Sequence, residues 1–203
     1  MAGIKKIKIP VKRSELTLDA VRPYLQRIVQ TFYSNKQKIK DNWQVFENQH
    51  AILEKKRKYE DDSEINNKVI TPYLYEMVAF KTGYAFGNPK EYAQSVENQV
   101  DELKYLNRYS KDRNERAIDK NVATYNYATG SGYYFIEPRE NDFDSEYEAP
   151  YVIYDKKPDT CAKIYSSYNG EEPLFDMLVT ELDDVADGVP ETHSIVSLYF
   201  PDM

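Results

Sequence analysis

The chain has 203 residues, of which 41% are apolar and 30% are charged, and it carries a net charge of −7. This length allows one domain or at most two, and 19 tyrosines set the chain apart from disordered proteins, which have few aromatics. The acidic balance argues against tight non-specific DNA binding, because such binding depends on neutralising phosphates. A single cysteine, Cys161, excludes an internal disulfide and a zinc site built on cysteines. We predict no catalytic residue, no metal ligand and no cofactor.

The first 22 residues are mixed in character and are predicted to form an irregular N-terminal arm. Their opening, MAGIKKIKIPVKR, is basic without an apolar run, so it does not resemble a secretory signal. No stretch of the chain approaches the ~18 apolar residues of a membrane span. Residues 23–203 are expected to form a single α+β domain, helical over 23–130 and strand-rich over 131–203.

The helical part is recognised by apolar residues that recur with a period near 3.6. A helix is predicted to begin at Arg22-Pro23 and to end or be interrupted at Ser34-Asn35, and Thr71-Pro72 is expected to cap a second helix. Further helices are predicted around Val96–Leu106 and over Asp112–Ala128, the latter ended by Gly130 or Gly132. The predicted core is Leu25, Ile28, Val29, Phe32, Leu74, Met77, Val78, Ile118, Val122, Phe135, Ile153 and Ile164.

The strand-rich part is expected to form a mostly antiparallel sheet. Asn169-Gly170 is typical of a tight hairpin between two strands. The predicted strands are Tyr133–Ile136, Tyr151–Tyr154, Cys161–Tyr168, Leu174–Leu182 and Ile195–Phe200.

Several patterns that would indicate chemistry are incomplete. Gly130-Ser131-Gly132 begins like a dinucleotide-binding loop, but Phe135 takes the third glycine's place and the order is helix to strand. Asp183 begins a sequence like a calcium-binding loop, but Ser194 stands where the bidentate carboxylate belongs. Neither His50 nor His193 accompanies a recognisable nucleophile. A pair of catalytic carboxylates stays open, because such pairs are defined in space.

Tyrosines occur in pairs along the chain, among them Tyr73 with Tyr75 and Tyr133 with Tyr134. Tyrosine is enriched at protein interfaces, because its ring supplies contact area and its hydroxyl a hydrogen bond. The pairs therefore favour a protein with extensive subunit contacts, although any one of them could equally cover the edge of a small core.

The segment INNKVITPYLYEMVAFKTGYAFGNPKEY, residues 65–92, resembles the portal proteins of tailed bacteriophages of Gram-positive hosts. In that family an Asn-Asn-Lys element leads into a helix that closes on a Gly-Tyr-x-x-Gly-x-Pro turn, and a later helix ends in glycine before a strand. The matching positions here are Asn66, Asn67, Lys68, Gly83, Tyr84, Gly87, Pro89 and Gly132. These residues are expected to have structural roles, and the resemblance extends over roughly residues 30–200.

The resemblance implies the wing-like region of a non-enzymatic structural protein at the unique capsid vertex of the virion, assembled in the host cytoplasm. Such proteins form homo-oligomeric rings, commonly dodecamers, through which double-stranded DNA is packaged and ejected. By resemblance, the expected partners are the major capsid protein, the scaffold, the terminase and the head–tail adaptor, without a membrane.

Portal proteins of this type are longer, and their stem, clip and crown are expected to be absent from this chain. Two hypotheses from other classes stay open. One is an adaptor that binds a protein partner through a tyrosine-rich sheet. The other is a small carboxylate-dependent enzyme on an α+β scaffold.

Overall fold

The computed structural model describes residues 3–55, 68–93, 100–138, 151–168, 171–186 and 189–201. Within them the chain is α+β, as predicted, with helices that precede most of the strands. The helices are α1 (Leu18–Val21), α2 (Leu25–Phe46), α3 (Tyr73–Phe86), α4 (Val100–Asp112) and α5 (Glu115–Thr129). The strands are β1 (Ile7–Ile9), β2 (Tyr133–Pro138), β3 (Tyr151–Lys156), β4 (Cys161–Ser166), β5 (Pro173–Ala186) and β6 (Val189–Tyr199). None of the described helices is both long and apolar enough to cross a membrane.

Two compact units divide the chain in a way that differs from the expected arm and single domain. Unit 1 comprises residues 1–40 and 157–203, and unit 2 comprises residues 41–156. Unit 1 is therefore built from two distant parts of the sequence. The strands, expected in one sheet, are likewise shared between two sheets.

Unit 1 contains a four-stranded sheet in the order β1-β4-β5-β6. The β4–β5 and β5–β6 pairs are antiparallel, whereas β1 runs parallel to β4 and aligns Ile7 with Ile164. Alternate residues of β4 are buried, as expected for a sheet with one face on a core. That core combines Ile9 and Ile164 from the sheet with Phe32 from α2. The predicted Asn169-Gly170 turn between β4 and β5 lies outside the described residues.

The N-terminal residues are not an irregular arm, since they contain a strand and buried core residues. Ile7 and Ile9 are almost completely buried in unit 1. Asn35 of α2 binds the backbone of Lys5 twice, with its Oδ1 3.0 Å from the amide nitrogen and its Nδ2 2.7 Å from the carbonyl oxygen. The predicted break at Ser34-Asn35 is thus wrong, because Asn35 directs its amide away from its own helix.

Unit 2 contains α3, α4, α5 and the antiparallel pair β2–β3. Its small apolar core is formed by Phe46, Val78 and Ala128, with Trp43 and Leu74 packed against it. Gly130 ends α5 with a φ of 90°, a left-handed conformation that glycine adopts without strain. One of the two predicted stops is therefore confirmed.

Helix starts differ from the predictions by a few residues. Thr17 caps α1 and accepts a hydrogen bond from the amide of Ala20, so helical structure begins before Pro23. Pro23 lies in a short 3₁₀ turn that leads into α2. Pro72, and not Thr71, occupies the N-cap of α3. The first turn of α3 consequently has no side-chain cap.

The predicted core is confirmed in part. The buried members are Ile28, Phe32, Val78, Val122 and Ile164. Half-buried members are Leu25, Val29, Leu74, Ile118, Phe135 and Ile153. Met77 was expected in the core and is 57% exposed, because the side of α3 that meets the core is centred on Val78.

Glu171 ties the start of unit 1 to its sheet. Its carboxylate binds the amines of Lys6 and Lys8, which flank Ile7 of β1. These hydrogen bonds lower the pKa of Glu171 from 4.5 to about 2. A carboxyl group whose pKa falls on folding stabilises the folded state above its unfolded pKa, and this contribution disappears as pH falls through the folded pKa.

We predict that Glu171→Gln lowers the urea midpoint at pH 7, and that the difference from the wild type shrinks between pH 4.5 and pH 2. Denaturation followed by circular dichroism across this range measures it. The matched control is Glu15→Gln, which removes an exposed pair with Lys12 and should change the midpoint little. A Glu171→Gln difference that is independent of pH would contradict the prediction.

Candidate functional site

The segment that resembles portal proteins includes α3, a helix that is apolar on two opposite sides. Val78 and Thr82 are buried, and Leu74 packs on the unit 2 core. The opposite side carries Tyr73, Met77, Phe80 and Tyr84, and we call these four residues the α3 face. A helix that is apolar all round is usually covered on every side. Within the described residues, the α3 face is not.

The α3 face is more exposed than large apolar residues usually are. The exposed fractions are 69% for Tyr73, 57% for Met77, 75% for Phe80 and 88% for Tyr84. With about 200 Å² per large side chain, the face presents about 580 Å². This is the size of the largest apolar patch on a typical monomer, and such patches are often functional.

Residues at the C-terminal end of α3 are fixed by hydrogen bonds from α5. The guanidinium of Arg116 donates to the carbonyl oxygens of Phe86 and Gly87. A cation at the C-terminus of a helix is favourable, because the last carbonyls lack partners within the helix and carry partial negative charge. The turn that follows α3 is thereby held to α5.

Beyond this turn, Lys90 and Tyr92 continue the attachment. Lys90 Nζ lies 2.7 Å from Asp119 Oδ2 in an ion pair. The backbone of Tyr92 is bound by Asn107, whose Oδ1 lies 2.7 Å from the amide nitrogen and whose Nδ2 lies 2.9 Å from the carbonyl oxygen. Residues 87–92 are thus secured to α4 and α5 by polar contacts.

Two carboxylates one turn apart on α5, Glu115 and Asp119, are buried beneath this turn. Ser110 donates a 2.7 Å hydrogen bond to Glu115, and Tyr134 donates a 2.8 Å hydrogen bond to Asp119. Burial raises the pKa of Tyr134, and the hydrogen bond to Asp119 raises it further. Burial lowers the pKa of Lys90, but the hydrogen bond and charge of Asp119 outweigh this effect and raise it. The pair therefore fastens the turn and β2 to α5.

A cavity of about 450 Å³ opens beside this cluster, lined in part by Lys90, Ser110, Lys111 and Arg116. Two of its three basic side chains already bind protein groups, Lys90 with Asp119 and Arg116 with the end of α3. The described residues contain no group of three histidine, cysteine, aspartate or glutamate side chains that could hold a metal ion. These contacts support a structural role for this cluster.

The residues of the portal-like motif fall into two classes in the structure. A Cβ atom on Gly87 would lie 2.4 Å from the carbonyl oxygen of Gly83, and one on Gly132 would lie 2.4 Å from that of Val122. Packing thus explains both glycines. A Cβ atom on Gly83 would meet nothing within 4 Å, and Tyr84 is almost fully exposed.

The remaining motif positions are placed as follows. Pro89 lies exposed in the turn after α3. The amine of Lys68 donates to the carbonyl oxygen of Leu53. Asn66 and Asn67 lie outside the described residues. Sequence reasoning missed Arg116, Asp119 and Tyr134, because their contacts join residues distant in sequence and no local pattern marks them.

No family model matches this chain, and no curated protein matches its sequence.

We predict that Gly87→Ala lowers the melting temperature, because the new methyl group would overlap the carbonyl oxygen of Gly83. Gly83→Ala is the matched control and should raise stability by about 0.5–1 kcal/mol, since alanine favours the helix and the site is open. Thermal denaturation of both variants measures the effects. Equal changes in the two variants would show that Gly87 is not sterically required.

We predict that Asp119→Asn destabilises unit 2 by about 1–3 kcal/mol, because it weakens a buried hydrogen bond and leaves Lys90 without its charge partner. Asp112→Asn is the control. It alters an exposed pair with Arg108 and should cost less than about 0.5 kcal/mol. Urea denaturation measures both variants. Similar losses would refute a special role for the buried carboxylate.

Proposed function

We propose that this chain is the wing-like region of a bacteriophage portal protein, a structural subunit of the ring at the capsid vertex. One observation carries the proposal. The α3 face, in the segment with the portal-like motif, presents a continuous row of exposed aromatic and thioether side chains. Such surfaces are costly to leave in water and are typical of subunit contacts.

The division of the motif residues supports the same function. Gly87 and Gly132 serve the chain's own packing, whereas Tyr84 makes its surface available to another molecule. Tyr84 stacks near Phe80, with ring centroids 6.5 Å apart and an interplanar angle of 16°. The two rings thus lie side by side on the exposed face, and ordering aromatic side chains on binding costs little side-chain entropy.

By the same proposal, partners are further copies of the chain, capsid and scaffold proteins, terminase and the head–tail adaptor, with double-stranded DNA passing through the ring. An adaptor that binds one protein partner would use the same surface without forming a ring.

The full chain, examined by light scattering and negative-stain electron microscopy, tests the proposal. We expect rings with a central channel and a mass of about twelve copies of the 23.8 kDa chain. Phe80→Asp should weaken assembly at least about tenfold, or roughly 1.4 kcal/mol. Tyr168→Asp is the control, because Tyr168 is exposed but lies in unit 1. Particles without ring symmetry, or a monomer at every concentration reached, would contradict the proposal.

A further inference from the structure

The sheet of unit 1 has one side that is covered by α2. Successive residues of a strand point to opposite sides of a sheet, and Met177 and Val179 of β5 are buried in the core that α2 shares. Lys36 of α2 binds Glu181, which lies on this same side of β5. The residues that alternate with these three positions of β5 therefore point away from α2.

The side that points away from α2 is partly apolar, and we call it the open sheet face. The register places Tyr199 opposite Asp176 and Ile195 opposite Thr180, so that these residues share one side. The members of the open sheet face on β5 and β6 are Asp176, Leu178, Thr180, Leu182, His193, Ile195, Ser197 and Tyr199. Among them, Leu182, Ile195 and Tyr199 are 46%, 52% and 44% exposed. A sheet side with apolar residues is normally buried against another layer of structure.

We propose that the α3 face of one copy of this chain binds the open sheet face of the next copy. A helix packed on a sheet is one of the standard two-layer arrangements, because each element has an apolar side to bury. Both surfaces are exposed in the same chain, so the contact forms between copies. The inference rests on the proposed function, since it names the surface that receives the α3 face in the ring.

The two surfaces agree in length. From Tyr73 to Tyr84 the α3 face is about 16 Å long, at about 1.5 Å per residue. From Asp176 to Leu182 the open sheet face is about 20 Å long, at about 3.4 Å per residue. The α3 face presents about 580 Å², and a standard interface buries about 800 Å² per partner, so this face supplies most of the area on its side of the contact.

A cavity of about 310 Å³ lies at one end of the open sheet face. Its lining includes Arg13, Lys163, Asp176 and Tyr199. Lys163 of β4 pairs with Asp176 across the strands, and its Nζ lies 3.3 Å from Oδ1 of the aspartate. The cavity has room for one aromatic side chain, and its polar lining offers partners to a tyrosine hydroxyl. Aromatic residues that fill pockets supply much of the binding energy of interfaces.

The symmetry of this contact is the kind that a ring requires. The α3 face and the open sheet face are different surfaces, so each copy binds one neighbour through the first and another through the second. Such contacts continue from copy to copy and close into a ring when the rotation between neighbours allows it. A contact of the α3 face with itself would instead stop at two chains.

Variants of the full chain that each disable one surface test the contact. Phe80→Asp disables the α3 face, and Ile195→Asp should weaken assembly at least about tenfold by disabling the open sheet face. An equimolar mixture keeps one intact contact, between the sheet of the Phe80→Asp chain and the α3 face of the Ile195→Asp chain. In sedimentation velocity, we expect each variant alone to be a monomer and the mixture to form pairs with twice the mass of the 23.8 kDa chain, but nothing larger. A monomeric mixture would overturn the contact.

Two further variants separate the contact from effects on folding. Leu18→Asp is the matched control, because Leu18 is an exposed aliphatic residue of unit 1 that belongs to α1, and it should assemble as the wild type does. Ile195→Thr keeps the branched shape that strands favour and should weaken assembly about threefold with an unchanged melting temperature. Equal losses in Leu18→Asp and Ile195→Asp would overturn the inference.

The same measurements distinguish this inference from the portal proposal. Rings that form equally well with Ile195→Asp would overturn the contact and leave the portal proposal intact. Open chains of the wild type, together with pairs in the mixture, would establish the contact and refute the portal proposal. Tyr168, the control residue for ring assembly, follows the end of β4 that is remote from Cys161 and Leu178, so it lies outside the open sheet face.

Discussion

The pairing of β1 with β4 is the contact on which unit 1 depends. β1 has only three residues, yet it delivers Ile7 and Ile9 to the core, and Ile9 is completely buried. Five of the thirteen buried residues in the described core of unit 1 precede residue 22. Burying one such side chain contributes about 1.5–3 kcal/mol, so the short strand matters far more than its few hydrogen bonds suggest. Lys6, Lys8 and Asn35 secure the strand from outside the core.

Unit 2 is stabilised in a different way from unit 1. Its apolar core is small, and polar contacts do much to hold α3, α5 and β2 together. Asp119 connects Lys90 with Tyr134, while Arg116 holds the end of α3. Such networks stabilise a fold when every member has a partner. Unit 2 therefore does not need the residues of the α3 face for its own packing. The exposed face of α3 is thus compatible with a stable unit 2.

Local patterns were sufficient to predict the class of the fold and the presence of the strands after Tyr133, although β5 extends to Ala186 and β6 begins at Val189, outside the predicted bounds. The periodicities of 3.6 and 2 report which residues share a face, but they do not report whether that face is covered. Met77 illustrates the limit: its spacing from Leu74 fits a buried stripe, but the core lies on the side of Val78. The tyrosine pairs favour interfaces in general, and the structure shows that Tyr73 and Tyr84 of α3 are exposed.

Long-range partners explain the remaining differences. In the sequence, Ile7 and Ile9 belong to a basic segment without a regular pattern. Only their pairing with β4 shows that they form a strand. Asparagine is unfavourable inside a helix, which suggested a break at Asn35. In the structure its side chain forms hydrogen bonds with the backbone of Lys5, and the helix continues. The buried role of Asp119 likewise depends on Tyr134 and Lys90. None of these partners lies within the window that a local pattern covers.

The composition of unit 1 from residues 1–40 and 157–203 has a consequence for biogenesis. Ile7 is synthesised before unit 2, and its partner Ile164 follows only after the whole of unit 2 has been synthesised. Unit 2 is continuous in sequence and can acquire structure during translation, whereas the sheet of unit 1 must wait for chain closure. Contacts of such high sequence separation form slowly. The nascent chain therefore carries the apolar side chains of β1 without their partner strand while unit 2 is being synthesised.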